Sequence, residues 1–480
     1  MAGKGVLKNS IWGLASQFGQ QGLLIVFFVI VARVFPKGDL SNYYIANNLY
    51  QMMVSFSALG LGQWFIRQLP DEPDQKSFVN KFLKIQICSG IFFYVVNVAV
   101  TWLMYDDPMI HILSLLIGLN IIFDNVIYTI RNLNIAQFEQ NKTFKVLTID
   151  SALRVILACL VFVYPYNIIE MSVVLVLIRI FTLNLFLRIS TSKLATFKSI
   201  VFSNVPVSYI KDLLLSNWPF IIVGSVSVIY WRIGNVLISK FLDKVNVNTY
   251  ELSFRFFSIA ELIPVIASAS IFAELLRVYR EDGMEAFNKL YKFFFKLFLL
   301  YGFGAFTFLY SFAGPIVKLA FGNKFPEVAY NTQEMFLTML VFPTAILQAN
   351  IFIILKMERR DMWLNVISLF VNVGLAFTGF MFYKTLSVVN LSIFISFIVF
   401  HLLQDYILVK NKVATPLEIT YGYIALIVGF AAYILLGKVV NLYLLFILFW
   451  AVVLPAVVIT DKRILNFIKA KTGHVTSPEG

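Results

Sequence analysis

From Asn9 to Ala32 the chain runs 24 residues without an ionisable side chain, and comparable stretches recur along its whole length. Coiled as an α-helix at 1.5 Å per residue, this stretch measures about 36 Å, more than the roughly 30 Å hydrocarbon core of a bilayer. It therefore reads as a membrane span, although not a uniformly apolar one. Gln17, Gln20 and Gln21 recur at helical spacing, and Gly13, Gly19 and Gly22 leave room for close helix approach. A polar stripe is costly against lipid and so faces other helices or water. A second span, about 40–66, repeats the design with Asn47, Asn48, Gln51 and Ser55, then the small-residue run SALGLG, then Arg67.

Twelve further spans follow at near-regular intervals: about 82–104, 110–132, 146–165, 168–189, 211–237, 250–276, 291–312, 332–356, 361–383, 386–409, 418–438 and 440–460. With the first two they make fourteen, and the expected class is an all-α polytopic membrane protein. With 59% hydrophobic residues, 49 Phe and 14% charged residues, a soluble multidomain reading fails. The first apolar stretch is too long for a cleavable signal peptide and lacks a small-residue cleavage site. Cys88 and Cys159 both fall inside spans, where they act as small apolar residues and argue for neither disulfide nor metal framework.

Basic residues orient the set. With the N-terminus inside and an even number of spans, 27 Lys and Arg fall on cytoplasmic segments and 7 on outer ones, so both termini are expected in the cytoplasm. Five of the 39 remain, and all are arginines in or at the edge of spans: Arg33, Arg154, Arg179, Arg232 and Arg255. The net charge of +13 is thus chiefly a topology signal, and nucleic acid is not an expected partner.

A weak internal repeat divides the chain. The turn FPKGDLSNY at 35–43 is echoed by FLDKVNVNTY at 241–250, and a shift of 207 residues pairs Tyr43 with Tyr250, Arg33 with Lys240 and Leu69 with Leu276. Two parallel six-helix lobes result, 1–200 and 201–410, followed by two additional spans and a cytoplasmic tail over 411–480.

The stretch KNSIWGLASQFGQQGLLIVFFVIVARVFPKGDLSNYYIANNLYQMMVSFSALGLGQWFIRQ, residues 8–68, resembles the opening of the bacterial polysaccharide (O-antigen type) flippases. These belong to the multidrug/oligosaccharidyl-lipid/polysaccharide exporter superfamily. The shared features are an amphipathic N-terminus leading into N-S-x-W-G, a short outer turn ending in Asn-Tyr, and a second helix closing on small residues and an arginine. GPIVKLAFGNKF at 314–325 looks like the family's outer loop after the ninth span, and TYELSFR places Arg255 where the family often carries an arginine. One departure is WRIGN at 231–235: Gly234 and Asn235 stand where the seventh span often has an Asp, so that carboxylate's role does not carry over. The resemblance implies two six-helix lobes around a central cavity, here cationic. It also implies an inner-membrane flippase for polyprenyl-diphosphate-linked oligosaccharides, units of O-antigen (lipopolysaccharide), capsule or exopolysaccharide.

No Gly-x-x-x-x-Gly-Lys-Ser/Thr phosphate loop is encoded, and His111, His401 and His474 lack metal-ligand spacing. The outer loops are short, the longest about 313–331, whereas a membrane glycan polymerase would usually display a large one. No enzyme activity and no cofactor are therefore expected. What carries information is charge inside the membrane. Arg179, mid-span, either lines a cavity or closes a buried ion pair. Arg154 follows Asp150, and Arg255 follows Glu251, by four residues, so each pair could serve substrate or only neutralise itself. Arg33 and Arg232 lie near outer span ends and can snorkel. With Gln17, Gln20, Asn47 and Asn48 they form the expected substrate-binding set, since guanidinium binds phosphate oxygens bidentately where lipid excludes water.

Asp124 and Glu261 are deep and lack a basic neighbour at i±4, which makes them candidates for coupling to H⁺ or Na⁺, or partners of an arginine from another helix. The expected partners are then the lipid-linked glycan, membrane lipids, a coupling ion and the polysaccharide polymerase machinery. A peptidoglycan-precursor flippase shares the diphosphate and stays open as an alternative. A multidrug antiporter of the same superfamily would prefer a carboxylate-rich cavity.

Overall fold

The structure is a computed structural model that describes residues 2–190, 200 and 203–460. The tail over 461–480, expected in the cytoplasm, and the basic-loop residues Lys193 and Lys198 lie outside the described residues. Among those described, helices account for every regular element. In chain order they are α1 (Ala2–Val34), α2 (Lys37–Ser57), α3 (Gly62–Gln68), α4 (Gln75–Met104), α5 (Pro108–Gly118), α6 (Asn120–Ala136), α7 (Gln140–Leu160) and α8 (Ile168–Ser190). Then come α9 (Val207–Phe241), α10 (Asn246–Glu281), α11 (Gly283–Phe321), α12 (Glu327–Met335), α13 (Phe342–Ile354), α14 (Glu358–Phe382), α15 (Ser387–Lys410), α16 (Pro416–Leu436) and α17 (Leu442–Thr460).

Among the described residues, ten segments are long and apolar enough to cross a membrane, counting α5 with α6 and α12 with α13 as one each. The helices α2, α7, α9 and α17, of 21, 21, 35 and 19 residues, bring the helical segments of spanning length to fourteen. The chain divides into two compact units. One comprises Met1–Arg255, Ala320–Phe325 and Met362–Ser392, and the other Phe256–Leu319, Pro326–Asp361 and Ile393–Gly480.

The span expected over 40–66 is broken where its small-residue run lies. Leu59 and Gly60 adopt positive φ, 55° and 59°, which ends α2 and restarts the chain as α3. Beyond the break, Phe65 stacks on Phe82 and Phe78 with centroids 4.6 and 5.4 Å away, anchoring a buried apolar core shared by α3, α4, α6 and α8. The two echoed turns meet each other. Asn248 donates to the Lys37 carbonyl at 2.8 Å, and Lys244 donates to Asn42 at 3.2 Å and to Asp107 at 2.6 Å. Asp107 is pulled up by partial burial, but the Lys244 ammonium and the Met109 N–H outweigh that and hold its carboxyl below the ordinary value. This clasp sets α2 beside α9 and the start of α10, with Tyr43, Tyr44 and Tyr250 buried beneath it.

In the second unit the segment expected as one span at 332–356 is split into α12, a 3₁₀ turn over Phe336–Leu340, and α13. Pro343 has no N–H to bond the Met339 carbonyl and its ring would strike it, so the helix cannot run through. That carbonyl instead meets Gly302 of α11, where an added Cβ would collide with its oxygen. Gly302→Ala is therefore expected to lower stability by about 1–3 kcal/mol. Gly314→Ala on the same helix meets nothing within 4 Å and should raise stability by about 0.5–1 kcal/mol. Thermal unfolding in detergent compares the two, and equal midpoints would show that α11 is not pinned at Gly302.

Candidate functional site: arginines backed by buried carboxylates

Three helices of the first unit put two carboxylates under two guanidiniums. On α7, one helical turn separates Asp150 from Arg154, whose Nε donates to Asp150 Oδ2 at 2.8 Å. From α8, Arg179 reaches Asp150 through Nη1 at 3.4 Å and pairs closely with Asp124 of α6 through Nε and Nη2. Thr182, on the same face of α8, donates to Asp150 at 2.7 Å, and the Tyr50 hydroxyl of α2 donates to Asp124. Asp124 has no basic residue within one turn along its own helix, so its directly paired counter-charge comes from across the bundle.

A second group surrounds Glu251 of α10, which is fully buried. Its Oε1 accepts from Arg232 of α9 at 3.0 Å and from Asn235 at 2.6 Å, and its Oε2 accepts from Arg255 at 3.2 Å. Arg232 also donates to Asn48 of α2 at 3.0 Å, so it turns inward and does not snorkel. Both guanidiniums lie over aromatic faces: Arg255 is 3.8 Å from the Phe28 ring centroid, and Arg232 is 5.1 Å from that of Phe254. Asn235 explains the departure at WRIGN. Glu251 already supplies the carboxylate, and an acid at 235 would set two negative charges within hydrogen-bond distance.

Tyr43 joins the groups, within electrostatic reach of Arg154, Arg255 and Glu251. Arg131 of α6 lies within reach of Arg179 and Asp124. The seam thus holds five guanidiniums against three carboxylates. It is also layered: the side chains of Arg154, Arg179 and Arg255 remain 20, 16 and 16% exposed, whereas those of Asp150 and Glu251 are 2 and 0% exposed. Carboxylates hidden behind guanidiniums stabilise the cations in a low-dielectric site, and the accessible edge stays cationic. Such an edge offers N–H forks to an anion without offering a nucleophile or a proton donor to a bond.

The profile of the family described as polysaccharide biosynthesis protein matches residues 6–273, more than half of the chain. The chain belongs to that family. No curated protein matches the chain by sequence. Among solved structures, an inward-facing multidrug resistance MATE family transporter of the MOP superfamily is similar in fold, with a TM-score of 0.67 at 11% identity over 82% of this chain and 96% of that one. Its outward-facing counterpart gives 0.62 at 12% over 85 and 95%. A MOP superfamily transporter from Pyrococcus furiosus, described by the reverse polarity of its binding pocket, gives 0.62 at 12% over 85 and 96%. The family member therefore has the MOP transporter fold and is a multi-pass membrane protein.

The remaining expected site residues fall elsewhere. On α1, which packs along α7, Gln17 is exposed and Gln20 half-buried. Asn47 is buried with its Nδ2 unpartnered among the described residues, next to Asn48 in the seam. Arg33 is exposed at the end of α1 and donates to the Ala320 carbonyl at 2.7 Å. Glu261 is half-buried on α10 and belongs to the second unit. Residues that the sequence did not single out are Tyr50, Thr182, Arg131 and Phe28. Spacing signals existed for two of them, since Tyr50 follows Asn47 and Thr182 follows Arg179 by three. His401, isolated in sequence, lies 3.0 Å from Asp405 four residues on. No group of three or more His, Cys, Asp or Glu could hold a metal among the described residues.

Proposed function

We propose that the protein flips a polyprenyl-diphosphate-linked oligosaccharide from the inner to the outer leaflet of the bacterial cytoplasmic membrane, with both termini in the cytoplasm. The observation that carries this reading is the layered seam, in which guanidinium edges stay accessible and their counter-charges are buried. The diphosphate engages Arg154, Arg179 and Arg255, the sugars meet the amides of Asn47 and Asn48, and the prenyl chain stays in lipid. Movement is by alternating access of two six-helix lobes, 1–200 and 201–410, without covalent chemistry. Coupling to H⁺ or Na⁺ runs through Asp124 and Glu261. Neutralising Asp124 would free Arg179 for phosphate, which links ion binding to substrate binding in one contact. A multidrug cation would meet the wrong sign of charge at this edge.

Proteoliposomes with a fluorescent polyprenyl-diphosphate trisaccharide on one leaflet test the reading. Flipping is expected without ATP, to stop when proton and sodium gradients are both collapsed, and to fall at least about tenfold in Arg154→Gln, Arg255→Gln. Equal flipping of a lipid-linked peptidoglycan precursor would move the assignment to that substrate. Flipping that persists unchanged without gradients would remove the coupling.

A further inference from the structure

The second unit contains a cavity of about 740 Å³ between α11 and α16, within the size range of small-molecule sites. Lys289, Lys292 and Lys296 enter it from one face of α11 at i, i+3 and i+7, while Glu418, Tyr421, Gly422 and Ala425 line it from one face of α16. Beside and just past the lysines the α11 wall is apolar, with Phe295 and Leu299. Gly422 keeps it open, because even a Cβ there would stop 3.8 Å from Phe295.

The two lining carboxylates are held within the protein. Glu418 pairs with Lys292 at 2.6 Å. Asp405, on the floor, accepts from Gln348 and Tyr423, each at 2.7 Å, and lies 3.0 Å from His401. Lys289 also pairs with Glu285 one turn back on α11, so the three ammonium groups stand among carboxylates that are each held within the protein. Nearby, Asn288 of α11 fastens the turn after α15 by donating to the Lys412 carbonyl at 2.9 Å. At 39 residues α11 is about 58 Å long, roughly twice the hydrocarbon core, so its lysine-bearing first third lies at headgroup depth.

We propose that this cavity binds an anionic bilayer phospholipid, with the phosphate at the lysine collar and an acyl chain along Phe295 and Leu299. Basic pockets between membrane helices hold anionic headgroups in this way, and the apolar wall below the lysines has no use for a free phosphate. The site is separate from the arginine seam and does not depend on which substrate that seam serves.

Native mass spectrometry and thermal unfolding of the full chain in detergent, with phosphatidylglycerol, phosphatidylethanolamine or inorganic phosphate added, test it. Phosphatidylglycerol alone should be retained and should raise the midpoint. The triple variant Lys289→Gln, Lys292→Gln, Lys296→Gln should bind it at least about tenfold more weakly. Gly422→Phe fills the cavity without changing charge and should lose the lipid as well. Equal retention of phosphatidylethanolamine, equal stabilisation by phosphate, or undiminished binding in the lysine variant would overturn the proposal. Binding lost with the lysines but kept in Gly422→Phe would place the lipid outside the cavity and overturn it too. Displacement of phosphatidylglycerol by equimolar polyprenyl diphosphate would assign the cavity to a transport substrate instead. Because the readout is binding of a bilayer lipid, its failure leaves the flippase reading untouched, and the reverse holds as well.

Discussion

Arg179→Ala is expected to cost about 3–5 kcal/mol and to reduce the amount of folded protein in the membrane. The reason is what it leaves behind. Asp124 would lose its directly paired guanidinium and keep the Tyr50 hydroxyl and the more distant Arg131, while Asp150 would keep Arg154 and Thr182. A carboxylate stranded inside a bundle costs more than the pair contributed when intact. The double variant Arg179→Gln, Asp124→Asn replaces the ion pair by two neutral groups of similar shape and should restore most of the membrane level. Export of polysaccharide should not return with it, because the fork that meets phosphate is gone. Immunoblots of membranes beside a surface-glycan assay separate the two effects. A single variant at normal level would show that the pair is not structural, and normal export by the double variant would remove Arg179 from the transport site.

Glu251→Ala is the second large effect, again about 3–5 kcal/mol. Glu251 is the shared acceptor of Arg232, Asn235 and Arg255, so its removal leaves two guanidiniums side by side with no anion between them. Glu251→Gln keeps the shape and one acceptor oxygen, and should cost roughly half as much. A rise in bound anion accompanies the expected loss: with the internal counter-charge removed, Glu251→Gln should bind inorganic pyrophosphate more tightly than wild type. Thermal unfolding with a pyrophosphate titration reads both quantities. Unchanged stability in Glu251→Ala would mean that water reaches and solvates this group.

Long uncharged stretches such as Asn9–Ala32 leave helices as the only economical backbone in lipid, so the class and the run of spanning segments follow from composition and length alone. Helical i, i+4 spacing likewise suffices to place Arg154 with Asp150 and Arg255 with Glu251. The break at Leu59 and Gly60 and the split at Pro343 sit on residues whose chemistry announces them, yet a hydropathy window averages such breaks away. Local pattern could not supply the partner of Asp124. Arg179 lies 55 residues further on, and only the packing of α6 against α8 brings them together. The same holds for Arg232, whose place near a span end suggested an escape to the interface. The clasp between the two echoed turns instead draws α2 beside α9 and turns that guanidinium onto Asn48 and Glu251. Sequence thus determined that five arginines lie in or at the edge of spans and that two of them carry acids a turn away. Tertiary structure decided which side of each ion pair is buried, because exposure depends on neighbours from distant helices, and that layering gives the seam its cationic edge.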